Sequence, residues 1–251
     1  MDALIPWGMA IAINSVLALI AWVAPKKLLT PMGLLHAWAL GIIIWGTLGW
    51  RGYGVILFYF LAGSAVTRIG MARKEELGIA EKRSGARGPE NVWGSALIAA
   101  LCALGAYVMA SGFSNIGVAA LILGYVASLS TKLADTCGSE VGKAYGKRTF
   151  LITTLQPVPA GTEGAISLEG TLAGLVGAAV IAAIGWLVGL ITPLAIALCV
   201  AAAFVATNLE SVIGATYQSK YRWLTNEMVN IINTAIGAAI AMVVGLGLAL
   251  M

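Results

Sequence analysis

Residues 115–134, NIGVAALILGYVASLSTKLA, are almost entirely apolar and lead directly into the charged stretch DTCGSEVGKAYGKR at 135–148. A helix of about 20 apolar residues is long enough to cross the hydrocarbon core of a bilayer. Similar runs recur along the chain and predict membrane spans at about 4–24, 32–50, 52–70, 91–110, 115–134, 170–190, 193–213 and 228–250. The sequence therefore predicts eight transmembrane helices.

Composition agrees with that interpretation. The chain is 60% hydrophobic and 10% charged, whereas about a quarter of the residues of a soluble domain are charged. Because a backbone inside lipid must satisfy its polar groups internally, and no ten-residue alternation indicates a barrel, we expect the spans to be helical. The predicted fold class is all-α, a polytopic transmembrane helix bundle that forms one integral membrane domain over residues 1–251.

The basic residues are distributed unequally between the predicted connections. If the first connection is cytoplasmic, that side receives Lys26 and Lys27, the stretches 68–87 and 132–148, Lys220 and Arg222, and the other side keeps only Arg51. Such an asymmetry predicts a polar site at the cytoplasmic face and both termini on the non-cytoplasmic side. The net charge of +4 follows from these loops and does not indicate a nucleic-acid partner.

The stretch after residue 131 carries the first candidate site. If the fifth helix continues past the membrane boundary, Lys132, Asp135, Ser139 and Gly142 recur at i, i+3, i+7 and i+10. These positions form one polar stripe with small residues, along which a ligand or another backbone can approach closely.

Two acids in this stretch suit a divalent cation. Asp135 and Glu140 beside basic residues are typical of Mg²⁺ shared with substrate phosphates. On an ideal helix the two acids point about 140° apart, so they can share one ion only if the helix bends near Gly138 or the ligand lies between them. The alternative is internal pairing of the acids with Lys132 and Lys143.

The glycines that follow do not form a Walker loop, because Gly142 and Gly146 enclose three residues and Lys147 is followed by Arg148. A different phosphate cradle is predicted in QPVPAGTEGAISLEGTLAGLVGAA, residues 156–179. Its glycines and Thr162 allow tight turns, and Ser167 can cap the next helix, so that backbone N–H groups can bind phosphate. Gly174 and Gly177, which continue into the membrane, are predicted to serve close helix packing.

Further polar residues stand at other span ends on the same predicted face. They occur in RGPEN, residues 87–91, in NLES, residues 208–211, and in NEMVNIIN, residues 226–233. Amides and acids at membrane depth are costly unless they pair or bind a ligand. Hydrogen bonds between helices, or charge pairs on a solvated helix, are the alternatives to a ligand site.

Six blocks together resemble the phytyl-phosphate kinase family, which includes transmembrane protein 19-like integral membrane proteins. They are FLAGSAVTRIG (60–70), ARGPENVWGSA (86–96), ADTCGSEVGKAYG (134–146), AGTEGAISLEGTLAG (160–174), NLESVIGATYQ (208–218) and TNEMVNIINT (225–234). The Thr-Glu-Gly at 162–164 is also similar to a signature of the more distant CTP-dependent dolichol kinases and CDP-lipid synthases.

This resemblance implies transfer of the γ-phosphate of a nucleoside triphosphate, CTP, to phytyl phosphate, with Mg²⁺ as cofactor. The product, phytyl diphosphate, would feed tocopherol or phylloquinone synthesis. Alternatives are another membrane isoprenoid or lipid phosphate kinase, a cytidylyltransferase, and a small-anion or lipid transporter.

The predicted site combines the resemblance with the patterns above. The predicted catalytic residues are Asp135, Glu140, Lys147 and Arg87, and the predicted metal ligands are Asp135, Glu140 and Glu210. The predicted cofactor-binding residues are Thr136, Ser139, Gly142, Gly161, Thr162, Gly164, Ser167 and Asn91. The predicted substrate-binding residues are Lys74, Asn208, Ser211, Asn226 and Asn230.

Overall fold

The computed structural model describes residues 5–110, 112 and 115–249. The helices are α1 (Ile5–Val23), α2 (Pro31–Val66), α3 (Met71–Glu76), α4 (Pro89–Met109), α5 (Asn115–Tyr145), α6 (Leu168–Leu187), α7 (Pro193–Ile213) and α8 (Asn226–Ala249). Strands β1 (Phe150–Leu151) and β2 (Ala165–Ile166) pair antiparallel. In the described part of the chain, all of these helices except α3 are long and apolar enough to cross a membrane, seven in total. The prediction of an all-α, multi-pass membrane protein is confirmed.

The long helix α2 is folded back on itself. As one straight helix its 36 residues would extend about 54 Å. However, Gly33 and Gly63, near its two ends, both pack on Arg87: added Cβ atoms would lie 2.3 Å from the Arg87 carbonyl oxygen and 2.8 Å from its Nη2. The reversal occurs at Gly49, whose φ of 63° and ψ of −160° are not helical. The halves 31–48, here α2a, and 50–66, here α2b, therefore cross separately, which gives the eight spans predicted.

The antiparallel helices place most charges at one end of the bundle. The connections 24–30, 67–88, 146–167 and 219–225 lie together at this end, which we name the charged face. For example, the Arg68 guanidinium is 3.4 Å from the Lys27 carbonyl oxygen. Arg51 lies at the opposite end, where its guanidinium packs near Gly189.

The centre of the bundle is α5, which packs against α2, α4, α6, α7 and α8. Its middle turns, including Tyr125, Val126 and Leu129, are fully buried. The helix runs without interruption from Asn115 to Tyr145, so the predicted span 115–134 and the charged stretch after it form one helix. Gly138 does not break the helix.

Glycines let α5 and α6 approach closely. A Cβ atom added at Gly170 would lie 2.6 Å from the carbonyl oxygen of Gly138, and one at Gly174 would lie 3.0 Å from that of Ala134. A Cβ atom at Gly177 would lie 2.9 Å from the Cys137 sulfur. Backbone contact through small residues is a common way for membrane helices to pack. We name this row of contacts the glycine seam.

The glycine seam can be tested with Gly170→Ala. Because the new methyl group would overlap a carbonyl oxygen of α5, we expect a loss of about 1–3 kcal/mol in the free energy of unfolding. The control is Gly54→Ala, whose Cβ would meet nothing within 4 Å and which should be neutral or stabilising. Thermal unfolding in detergent measures both, and equal melting temperatures would contradict the packing described.

Candidate active site

A cavity of about 870 Å³ opens at the charged face, between the ends of α4 to α8. Residues from the ends of these helices and from the connections between them line it. Its polar lining includes Arg87, Asn91, Lys132, Asp135, Thr136, Ser139, Glu140, Lys143, Thr162, Glu163, Ser167, Asn208, Glu210, Ser211, Asn226 and Asn230. The fold therefore brings together most of the polar residues that the sequence singles out.

Lys132 and Asp135 form the best-defined group in this cavity. The Lys132 ammonium donates to Asp135 Oδ2 at 2.5 Å and to Asn230 Oδ1 at 2.8 Å. Their side chains are only 8% and 14% exposed. Glu210, on α7, lies close enough to interact electrostatically with both Asp135 and Lys132. The arrangement gives two carboxylates around one lysine, held by α5, α7 and α8.

Glu140 has a different environment from Asp135. Lys74 contacts Glu140 Oε2 and also donates to the Thr67 carbonyl oxygen at 2.7 Å, and Lys143 lies 3.4 Å from Oε1. The side chain of Lys74 has no exposed surface and that of Glu140 is 3% exposed. Both oxygens of Glu140 thus contact lysines, and on the continuous helix α5 the side chains of Glu140 and Asp135 point about 140° apart. The internal pairing with Lys132 and Lys143, the alternative from sequence, describes the observed contacts.

Two basic residues predicted in the site lie outside the cavity wall. Lys147 is exposed on the turn after α5, and Lys74 is buried beneath Glu140, so neither is in the cavity lining. Lys132 and Lys143 occupy the wall instead. The sequence placed Lys132 in the polar stripe of α5 and indicated Lys132 and Lys143 as possible partners of the acids, but neither was among the predicted site residues.

Arg87 is held at the edge of the cavity by aromatic rings. Its guanidinium lies 5.6 Å from the ring centre of Tyr59 and 5.8 Å from that of Phe60, and it donates to the Tyr59 hydroxyl at 3.2 Å. Its backbone pairs with Leu28 and Thr30. Stacking and pairing restrict the side chain, so a cation is fixed where phosphate can approach.

The predicted cradle is shaped by packing on neighbouring elements. Gly161 and Gly164 have φ values of +86° and +77°, which favour glycine. A Cβ atom at Gly164 would lie 2.5 Å from the Ser211 carbonyl oxygen, and one at Gly161 would lie 2.8 Å from Ile79. Close contact with the end of α7 places Glu163 beside Gly214, one turn beyond Glu210.

The hydroxyl groups near this loop form hydrogen bonds with backbone groups close to them in the sequence. The Thr162 hydroxyl donates to the Pro159 carbonyl oxygen at 2.8 Å, and Ser167 Oγ accepts from the Gly170 N–H at 3.1 Å. Ser167 thus caps α6, as the sequence predicts. Both residues also border the cavity.

The small polar residues of α5 and α4 mainly form hydrogen bonds within their own helices. Thr136 donates to the Lys132 carbonyl oxygen at 2.9 Å, and Ser139 donates to that of Thr136 at 3.3 Å. Gly142 packs on Ser167 and Gly170 in the glycine seam. Asn91 Oδ1 accepts from the Gly88 N–H at 3.0 Å and so closes the start of α4.

The predicted substrate-binding residues of α7 and α8 also differ in what they contact. Asn208 and Ser211 donate to carbonyl oxygens one turn back in α7, and Asn226 accepts from Gln218 at 2.9 Å. Asn230 alone of the four contacts a charged side chain, that of Lys132. All four line the cavity.

The acids do not form a complete metal cage. Among the residues that the structure describes, no three acidic, histidine or cysteine side chains converge as a group that could hold a metal ion. The three cysteines are buried and separate. Any cation in the cavity would therefore need further ligands from a substrate or from water.

Comparison with known proteins places the chain in a family. The model of the family "Integral membrane protein DUF92" matches residues 14–238. The chain is 64% identical to an uncharacterized membrane protein of Synechocystis, over 94% of this chain and 90% of that protein. It is 41% identical to the chloroplastic protein VTE6 of Arabidopsis thaliana, over 94% of this chain and 71% of that protein.

A more distant relative extends the same match. The chain is 33% identical to an uncharacterized membrane protein of Methanocaldococcus jannaschii, over 97% of this chain and 96% of that protein. No solved structure matches the chain. The matches confirm the resemblance to the phytyl-phosphate kinase family. This chain is therefore a multi-pass integral membrane protein that belongs to the DUF92 family.

Proposed function

We propose that the protein is a phytyl-phosphate kinase, which transfers the γ-phosphoryl group of CTP to phytyl phosphate. The product, phytyl diphosphate, serves tocopherol or phylloquinone synthesis. The observation that carries the proposal is the polar cavity around Lys132 and Asp135 at one membrane face, in a chain 41% identical to VTE6 over most of its length.

The reaction suits the groups in the cavity. A phosphate monoester oxygen of phytyl phosphate attacks the γ-phosphorus of CTP. The bond between that phosphorus and the oxygen that bridges the β- and γ-phosphates breaks, and CDP leaves. Because the attacking oxygen is already anionic, no strong general base is required. What the protein must supply is alignment and neutralisation of phosphate charge, and Lys132, Lys143 and Arg87 supply positive charge around the cavity.

The donor set also fits Mg²⁺. Asp135 and Glu210 line the same cavity and interact electrostatically, and Mg²⁺ is usually held by one or two carboxylates together with substrate phosphates. We assign the metal to these two carboxylates and leave out Glu140, whose oxygens contact Lys74 and Lys143. When bound, the ion would neutralise charge on the transferred phosphoryl group.

The proposed orientation follows from the charges. Since basic residues favour the cytoplasmic side, we assign the charged face to that side and the start of α1 and the end of α8 to the other. A membrane-impermeant amine reagent applied to sealed vesicles would check this through the exposed Lys147 and Lys220.

The activity can be tested with purified protein, Mg²⁺, CTP and a panel of isoprenoid monophosphates. We expect phytyl diphosphate and CDP as products, and no product without a divalent cation. The control acceptor is free phytol, which only a prenol kinase would phosphorylate. A CDP-lipid product would instead show a cytidylyltransferase, and an absence of any diphosphate across the panel and all four common nucleoside triphosphates would contradict the proposal.

A further inference from the structure

The cavity has an apolar arm that runs into the membrane between α6 and α7. Its lining continues from the polar mouth along Leu175 and Ala178 of α6 and along Phe204 of α7. Ala178 lies ten residues below the start of α6, a depth of about 15 Å, and Phe204 is at a similar depth in α7. The arm therefore reaches about the middle of a hydrocarbon core that is about 30 Å thick.

Small side chains lie at the lower end of the arm, and an aromatic ring lines one side. Ala134, Ala178 and Ala203 form a buried cluster with Val200 packed on it, which closes the lower end. Phe204 lines the cavity and is 43% exposed. The arm is thus bounded on one side by an aromatic ring that the neighbouring helices leave partly uncovered.

We propose that this arm holds the isoprenoid chain of a phosphate monoester that enters sideways from the bilayer between α6 and α7. The reaction at the phosphate group rests on the proposed function. The path of the isoprenoid chain rests on the shape of the cavity. Removing a hydrocarbon chain from lipid into water costs about 0.8 kcal/mol for each CH₂ group. A continuous apolar route lets the phosphate reach Lys132 while the chain stays out of water.

A second apolar groove is the competing location. It has a volume of about 410 Å³ and lies on the other side of α6, between α2b, α5 and α6, where Phe58, Leu133 and Val176 line it. The glycine seam, with Gly174 against Ala134, separates this groove from the cavity. An isoprenoid chain bound in the groove would place its phosphate on the side of the glycine seam away from the cavity and Lys132. The arm is therefore the better site.

Adjacent residues of α6 provide a matched pair of variants. Leu175 lines the arm, whereas Val176 lines the groove and is 63% exposed. Leu175→Trp should lower the ratio of kcat/KM for phytyl phosphate to kcat/KM for dimethylallyl phosphate by about tenfold, the effect of overpacking one site by 1–3 kcal/mol. Val176→Trp should leave the ratio at the wild-type value. The reverse pattern, or no change in either variant, would overturn the proposal.

Photo-crosslinking of the wild-type protein keeps the proposal testable if Leu175→Trp does not fold. The probe is a phytyl phosphate analogue that carries a diazirine at the far end of its chain, and the adducts are mapped by mass spectrometry. We expect adducts at Leu175, Ala178, Phe204 or Thr207, which line the cavity. Adducts in the groove, at Phe58 or Val176, or at neither place would overturn the proposed path.

The two proposals can fail separately. If the arm is labelled but no isoprenoid monophosphate is phosphorylated, the kinase function is contradicted and the chain path stands. If phytyl phosphate is phosphorylated but the label falls in the groove, the chain path is contradicted and the kinase function stands.

Discussion

Replacing Asp135 with Asn should lower the rate of phytyl diphosphate formation by about 10²- to 10³-fold, the usual cost of removing one electrostatic group from a catalytic site. Asp135 accepts from the Lys132 ammonium, which also donates to Asn230, and Glu210 stands near Asp135. Asn keeps the volume of the side chain but removes its negative charge, so metal and phosphate binding should be impaired. The measurement is kcat with CTP, Mg²⁺ and phytyl phosphate.

The matched control for this variant is Glu76→Gln. Glu76 is an exposed acid at the end of α3 and lies outside the cavity lining, so the same loss of charge there should leave kcat within about twofold, as for most surface changes. If Asp135→Asn folds and retains full activity with the wild-type Mg²⁺ dependence, the assignment of Asp135 to the metal is wrong.

Replacing Lys74 with Met should lower the free energy of unfolding by about 3–5 kcal/mol, because it leaves the buried carboxylate of Glu140 without its closest cation. Lys74 is fully buried, and its partner is 3% exposed. Lys143 remains 3.4 Å away but is itself 24% exposed, so it cannot fully compensate. Chemical unfolding in detergent measures the loss.

Two further variants test the cause of that loss. The double variant Lys74→Met/Glu140→Leu removes both buried charges, and it should recover much of the lost stability. Arg83→Met removes one partner of the Arg83–Glu90 pair, whose side chains are 47% and 43% exposed, and should cost under about 1 kcal/mol. The structural role of Lys74 would be refuted by a loss no larger than that of Arg83→Met.

Hydropathy predicted the crossings well because a bilayer requires a minimum apolar length from each helix. The spans predicted at 32–50 and 52–70 correspond to α2a and α2b, since Arg51 interrupts the apolar run close to the actual reversal at Gly49. The sequence also predicted that the polar segments meet at one face. It could not predict that α5 stays helical through Gly138 and beyond the membrane.

The orientation of each acid was the part that sequence could not predict. Helical spacing relates residues within one turn or two, but the contact of Glu140 with Lys74 joins residues 66 positions apart. Lys147 was predicted to contact phosphate, whereas the turn after α5 places it at the surface, outside the cavity lining. Pairing across helices is decided by packing, here by the short helix α3 against α5.

The shape of the cavity favours an enzyme over a transporter. Its lining begins at the charged face and ends at the alanine cluster about half-way across the bundle. A transporter would need a polar path that can open to both faces. A cavity that is polar at one face and apolar at depth instead matches a reaction between a soluble nucleotide and a lipid phosphate.

Transfer of label from CTP to phytyl phosphate tests the central claim most directly. Purified protein is incubated with phytyl phosphate, Mg²⁺ and CTP labelled either at the γ-phosphate or at the α-phosphate, and the lipid product is separated and counted. The account predicts that the γ label alone moves into phytyl diphosphate and that the α label stays in CDP. Transfer of the α label into lipid, or of neither label, would contradict it.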